Sequence, residues 1–202
     1  MKKKEPLYKS HLRKDKTLAF ILDGPCHTLE VYKNIPLRLM GSIMSQQLNT
    51  RVAKIIYTRF LELFDGKEPR PEQVLAIPDE TLRSIGLSHS KVLYVKNVAR
   101  FCMEHHITHK KLADMDNESI LKLLTQIKGV GRWTVEMLLM FSLAREDVFS
   151  VDDFGLQQSI IQLYRIKIKD KKKLRKKILH LSDSWSPYRT YACLHLWQWK
   201  DS

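Results

Sequence analysis

The sequence predicts an all-α protein, and three observations carry that reading. Apolar residues recur at three- and four-residue spacing along the chain. The seven Gly and seven Pro of its 202 residues fall mostly at breaks between such stretches. Ser, Asp or Asn heads several of them, where a side-chain oxygen can accept from helix amides. The length suits one domain over residues 1–202, or two small helical lobes sharing a cleft. Hydrophobic residues make up 44% of the chain, with four Trp, seven Tyr and seven Phe, which supplies a core and excludes low-complexity disorder.

Element by element, a short helix is expected over residues 16–22, ended by Asp23-Gly24-Pro25. Pro36 opens a helix through residue 44, and Asn49 caps the next, which runs to about residue 64. Two short helices follow at residues 71–76 and 79–85, the second stopped at Gly86. Ser88 or Ser90 starts a longer helix to about residue 105, and Asp116 caps one ending near residue 126. A tight turn over residues 127–131 leads into a helix over 132–143. Asp153 caps a helix through residue 164, Asp170 one through about residue 180, and Pro187 opens the last.

Charge narrows the function. Lys and Arg number 35 against 22 acids, a formal +13 with a pI near 9.7. Such a field attracts polyanions, and a pI above 9 in a compact domain is a mark of nucleic-acid binders. On charge alone a generously basic surface explains it equally well. The run Lys169, Lys171, Lys172, Lys173, Arg175, Lys176 and Lys177 is either a solvated helix face or a phosphate contact. Cys26, Cys102 and Cys193 offer neither a disulfide framework nor a CxxC pair, which points to a reducing compartment. The N-terminal stretch lacks a secretory apolar run and no segment reaches 18 apolar residues, so an intracellular protein without a membrane span is expected.

Chemistry concentrates in two places. In Gly129-Val130-Gly131, followed by Arg132-Trp133-Thr134, two glycines permit positive φ and close backbone approach. The amides opening the next helix have no partner inside it, and the helix dipole adds positive charge there, so a DNA phosphate is a natural guest. Val130 would pin the turn to the core. An ordinary helix–helix turn explains the motif when it is taken alone. About twenty residues later, Asp152-Asp153 stands at the head of a helix, an unusual junction in so basic a chain. One acid serves as a plain N-cap; alternatively a carboxylate faces a sugar, its charged form favoured by dipole and amides.

The run Ile127-Lys128-Gly129-Val130-Gly131-Arg132-Trp133-Thr134 followed by Asp152-Asp153 resembles the helix-hairpin-helix plus Gly/Pro-Asp (HhH-GPD) signature of base-excision DNA glycosylases. Within that superfamily the chain is most similar to the 3-methyladenine DNA glycosylase II family. Residues 42–48 resemble that family's SIISQQ segment. Residues 82–88, with Lys91 and Tyr94, resemble LRxxGLSxxKxxY, and residues 185–192, with Leu196 and Trp197, resemble WxPYRSxAxxxLW. The matches run in order from about residue 39 to residue 197.

The resemblance implies a fold of two helical lobes flanking a DNA-binding cleft, here residues 40–125 and residues 1–39 plus 126–202, with the hairpin at 127–131. It implies that Asp153 is the catalytic carboxylate, stabilising an oxocarbenium-like sugar and positioning water, with Asp152 in a structural or capping role. Relatives that also nick DNA carry an attacking Lys where this chain has Trp133, so water must be the nucleophile and the enzyme is monofunctional. Trp133 and Trp197 match pocket positions and could sandwich a flipped base. Alkylation at purine N3 or N7 makes that base cationic, and aromatic faces attract cations by about 0.5–2 kcal/mol. The expected substrate is therefore double-stranded DNA carrying alkylated purines. Met137 replaces a frequent pocket aromatic. Gln47, with Leu48 beside it, falls where relatives wedge a residue into the vacated stack, and Lys128 replaces a hairpin Pro. Arg132, Thr134 and Arg189 are candidate phosphate contacts, Arg189 equally a partner for a buried acid.

No iron–sulfur cluster or other cofactor is expected, because the region after Trp185 holds only Cys193. His105, His106 and His109 lack zinc-ligand company. The carbonyls of Thr125, Ile127 and Val130 match a sodium or potassium site of the superfamily. The chain is too short for the β-rich domain of longer relatives, and a monomer is expected, working with DNA in cytoplasm or nucleoid if bacterial and in the nucleus if eukaryotic. Alternatives are a glycosylase for hypoxanthine, ethenoadenine, uracil or an oxidised purine, and a helix-hairpin-helix DNA-binding module without catalysis. The module reading leaves the junction carboxylate and the tryptophan pair unexplained, and an RNA-binding or scaffold protein leaves the hairpin-to-Asp spacing unexplained.

Overall fold

The computed structural model describes residues 5–200; residues 1–4 and 201–202 of the expected span lie outside them. The described residues form twelve α-helices and one 3₁₀ turn, with no strand, as the periodicity predicts. No helix among them is long and apolar enough to cross a membrane. The backbone gathers into two compact units, one of residues 31–143 and one joining residues up to Glu30 with those from Ala144 on.

The first unit holds α2 (Ile35–Ser45), α3 (Thr50–Glu62), α4 (Pro71–Ala76), α5 (Asp79–Ser84), α6 (His89–Glu104), α7 (His109–Ala113), α8 (Asn117–Leu124) and α9 (Arg132–Phe141). Helix α2 is its axis. Leu37, Leu39, Met40 and Ile43 are fully buried as it packs against α3, α6 and α9, each such side chain worth about 1.5–3 kcal/mol. Caps set the starts. Asn34 accepts from the Leu37 amide at 3.2 Å, so α2 begins just before Pro36; Asn49 accepts from Val52 at 2.9 Å and Asp116 from Ser119 at 2.9 Å. Ser88, not Ser90, heads α6, accepting from Lys91 at 3.3 Å. Helix α7, capped by Thr108, is too short to show a period in sequence.

The unit boundary falls at residue 143, not at the expected 125, and the hairpin lies inside the first unit. The cause is the buried face of α9: Val135, Leu138 and Leu139 are at most 2% exposed, and the helix packs on α2 and α8.

The second unit holds α1 (Leu7–Leu12), the 3₁₀ turn (Leu18–Ile21), α10 (Phe154–Leu163), α11 (Lys171–Asp183) and α12 (Arg189–Lys200). The helix expected over 16–22 is only that 3₁₀ turn, α1 had no signal, and α12 starts two residues after Pro187. Asp170 caps α11, accepting from Lys173 at 2.8 Å. Trp185 is fully buried, and its indole N–H donates to Asp15 Oδ2 at 3.0 Å, an oxygen that also accepts from the Tyr164 hydroxyl at 2.5 Å. Burial opposes ionisation of Asp15, but these bonds and the amides of Leu18 and Thr17 outweigh it and hold its pKa below the ordinary value. Tyr8 stacks on Tyr191 with ring centres 4.1 Å apart.

His195 on α12 is 1% exposed, and neither ring nitrogen has a hydrogen-bond partner among the described residues. Burial, reinforced by the neighbouring charges of His27, Lys9 and Arg13, pushes its pKa down to about 4. The folded protein keeps it neutral while the unfolded chain protonates near the ordinary 6.5, so its contribution is complete above pH 6.5 and is lost as pH falls toward 4. Between pH 7 and 4.5 wild type should lose about 2 kcal/mol of unfolding free energy more than His195→Leu. Denaturant melts at the two pH values measure this, and equal losses would clear His195.

Candidate functional site

The turn between α8 and α9 is pinned from within. The Val130 amide donates to the Ile127 carbonyl at 2.9 Å, and both side chains are buried. Gly129 has φ +104, and a Cβ there would sit 2.4 Å from the Tyr94 ring, so conformation and space both demand glycine. Gly131, which could take a positive φ, is extended at φ −95, with nothing within 4 Å of a Cβ. Its missing side chain leaves the first turn of α9 open. That helix has no side-chain cap, whereas Asn34, Asn49, Ser88, Thr108 and Asp116 cap others in the unit. Uncapped amides at the positive end of a ten-residue helix are able to accept an anion.

The flanking side chains differ in what they can add. Lys128 is exposed. Arg132 Nε donates to Glu136, a buried acid one turn on, at 2.8 Å, and Nη2 lies 3.7 Å from Glu118, so its cation is already balanced within the protein. Thr134 is 3% exposed; its side chain turns into the core and offers a phosphate nothing beyond its amide, a correction to its expected role. Arg189 is the partner of an acid: Asp147 takes its Nε at 2.6 Å and Nη2 at 2.8 Å.

In the first turn of α9, Trp133 is 46% exposed. With Met137 and Phe141 it lines a cavity of roughly 510 Å³ in the first unit, whose other walls include Tyr32, Tyr57, Arg38 and Lys54. The Tyr32 hydroxyl donates to Glu68 at 2.8 Å, and burial with that carboxylate pushes its pKa up. These two tyrosines carry no motif that sequence reasoning could have used. After α2, Gln47 is exposed at φ +59 with Leu48 half-buried beside it, and the Gln46 side-chain amide donates to the Gly129 carbonyl at 3.2 Å. The elbow and the hairpin are therefore joined.

In the second unit Asp153 is the N-cap of α10. Its Oδ1 accepts from the Leu156 amide at 2.8 Å and from the Trp197 indole N–H at 3.0 Å. Trp197 thus steadies the carboxylate directly, a relation that sequence spacing does not encode. A Cβ at Gly155 would come within 3.1 Å of that oxygen and 3.4 Å of the Trp197 ring. Asp152 turns to the surface and binds Arg175 through two bonds of 2.9 and 3.2 Å. Phe154, unremarked in sequence, opens α10 at 72% exposure. Among the described residues no three His, Cys, Asp or Glu side chains gather to hold a metal ion.

Hairpin, uncapped helix and capping aspartate are the parts of a helix-hairpin-helix protein, and comparison with known proteins agrees. The profile of the HhH-GPD superfamily base excision DNA repair proteins matches residues 40–183, and the chain belongs to that superfamily. DNA-3-methyladenine glycosylase 1 of Schizosaccharomyces pombe is 36% identical over 162 residues, covering 79% of this chain and 70% of that protein. The chain spans 57% of the length of a Bacillus subtilis relative 33% identical to it. A solved S. pombe 3-methyladenine DNA glycosylase in complex with abasic DNA superimposes with a TM-score of 0.83 at 30% identity, over 98% of each chain. A DNA-3-methyladenine glycosidase from Bacillus halodurans gives 0.84 at 35%, over 98% of this chain and 90% of that one. Within the superfamily its kinship is thus with the DNA-3-methyladenine glycosylases.

Gly129→Ala should destabilise the protein by about 2–4 kcal/mol, combining a left-handed backbone with a clash. Gly131→Ala should leave stability within about 0.5 kcal/mol yet weaken duplex DNA binding. Unfolding curves and binding isotherms on the same preparations separate the two, and undiminished binding by Gly131→Ala would rule out the open turn of α9 as a phosphate seat.

Proposed function

We propose that the protein is a monofunctional DNA glycosylase that hydrolyses the N-glycosidic bond of alkylated purines of the 3-methyladenine type in base excision repair. The observation that carries the reaction is the Asp153 carboxylate, held by an α10 amide and the Trp197 indole. As the bond from C1′ to the base nitrogen breaks, its electron pair leaves with the base. A cationic alkylpurine becomes neutral on departure, so it needs little protonation. The sugar left behind carries oxocarbenium character, which an anionic carboxylate stabilises. Water bonds to C1′, and Asp153 orients it and takes up its proton. With Trp133 where an attacking lysine would stand, no Schiff base forms at that position.

The amides of Gly129, Gly131 and Arg132, with Lys128, hold the duplex backbone, and Val130, whose amide is engaged by Ile127, contributes shape. Trp133 and Met137 recognise the base from the first unit, Trp197 serves the second by holding Asp153, and Gln47 and Leu48 enter the gap left by the flipped nucleotide. The carbonyls of Thr125, Ile127 and Val130 would hold a sodium or potassium ion that stiffens the hairpin; they are oxygen donors suited to such an ion, although the Ile127 carbonyl also serves Val130. The protein acts as a monomer on double-stranded DNA, with the genome.

A second specificity has an observation in its favour. Arg38 and Lys54 border the cavity beside Trp133, where they repel a cationic base and can donate to the carbonyl of hypoxanthine.

The experiment is base release from methylated and from hypoxanthine-containing duplexes by wild type, Asp153→Asn and Trp133→Ala. Asparagine caps a helix as well as aspartate does, so Asp153→Asn should stay folded and bind duplex while base release falls at least about 100-fold. Equal release by wild type and Asp153→Asn, or borohydride trapping of a covalent complex, would sink the mechanism.

A further inference from the structure

The turn that follows α2 stores backbone strain, and a residue far away in sequence holds it. Gln46 has φ −51 and ψ 133, Gln47 has φ +59, and the Leu48 amide closes on the Ser45 carbonyl at 3.1 Å. This is the conformation of a type II turn, whose third residue needs a positive φ and so favours glycine or asparagine. Glutamine there is strained. A type I turn keeps the same closing bond and relieves the strain by rotating the peptide between residues 46 and 47, which sends the Gln46 carbonyl to the other side. The observed turn therefore needs something that grips that carbonyl.

Lys91 grips it. From the first turn of α6, its Nζ donates to the Gln46 carbonyl at 2.8 Å and to the Met44 carbonyl at 2.9 Å, across 45 and 47 residues of sequence. The ammonium also sits where α2 presents its unsatisfied carbonyls and the negative end of its dipole. Burial lowers the Lys91 pKa, the mark of a cation drawn into the fold for a reason other than solvation. On its other side Gln46 is held by the hairpin through the Gly129 carbonyl. Gln47 stands exposed next to this doubly anchored residue.

We propose that Lys91 is a positioning residue, whose ammonium locks the peptide between Gln46 and Gln47 in its strained orientation and so aims Gln47 at the gap left by a missing base. The inference rests on the reading of Gln47 given above. Without the ammonium the peptide rotates, residue 47 leaves positive φ and its side chain swings away. The hairpin keeps its own bonds, so general duplex binding is untouched.

The test is equilibrium binding to two duplexes, one intact and one carrying a tetrahydrofuran abasic-site analogue, with thermal melts of every variant. Wild type should prefer the abasic duplex. Lys91→Met should lose about tenfold of that preference, the scale of one charge-assisted hydrogen bond, while intact-duplex affinity stays within about twofold. Lys91→Arg should keep most of it. In a Gln47→Gly background, which has no strain and no side chain to aim, Lys91→Met should change nothing further. Should Lys91→Met melt below the assay temperature, Lys91→Gln takes its place. Full preference in the lysine variant overturns the lock and leaves the glycosylase reading standing. Equal weakening on both duplexes, or the same loss in the Gln47→Gly background, overturns it as well, because Lys91 then serves only the fold. A wild type indifferent to the gap overturns both the lock and the assigned role of Gln47.

Discussion

Gly129 tolerates no side chain, and the first unit is organised around that fact. Its Cα lies so near the Tyr94 ring that an added carbon would overlap it, which brings the hairpin backbone flush against α6. The same residue's carbonyl receives the Gln46 side chain, which ties in the end of α2. Three elements distant in sequence thereby meet at one peptide. The open first turn of α9, and Trp133 within it, take their places from that junction. Backbone amides cannot be re-aimed by changing a rotamer, so a turn that presents them to a ligand depends on a rigid scaffold.

Two adjacent aspartates show how environment divides labour between identical groups. Asp152 is turned outward and balanced by the guanidinium of Arg175. Asp153 is turned onto α10, and its Oδ1 accepts from an α10 amide and from the Trp197 indole of α12, both neutral donors. Neutral donors orient a carboxylate without cancelling its charge.

Much of the fold was legible because helix starts are local events. Asn49, Ser88, Asp116, Asp153 and Asp170 cap the helices that the sequence assigns to them, since a cap depends on a residue and an amide three positions on. Helices α1 and α7, with six and five residues, are too short for an amphipathic period and carry no boundary signal that was read, whereas the equally short α4 and α5 are marked by Pro71 and Gly86. The limits of the two units escaped for a different reason: α9 belongs with α2 and α8 through burial, which no turn signal announces. At the site, the hairpin and Asp153 were readable as motifs. The bond from Trp197 to Asp153, the grip of Lys91 on Gln46 and the tyrosines of the cavity were not. Each joins residues more than twenty positions apart, and spacing alone does not say which side chains will meet.

The stack of Tyr8 on Tyr191 and the bond from Trp185 to Asp15 span most of the chain within a single unit. Such a unit cannot close its core until its last helix has left the ribosome, whereas residues 31–143 are continuous and can pack as they emerge. Synthesis therefore delivers the hairpin-bearing unit first and leaves the early segment waiting, its aromatic and buried charged groups exposed, for a partner made some 170 residues later. Vectorial folding of this chain is ordered by its topology, and the carboxylate-bearing unit is the last to mature.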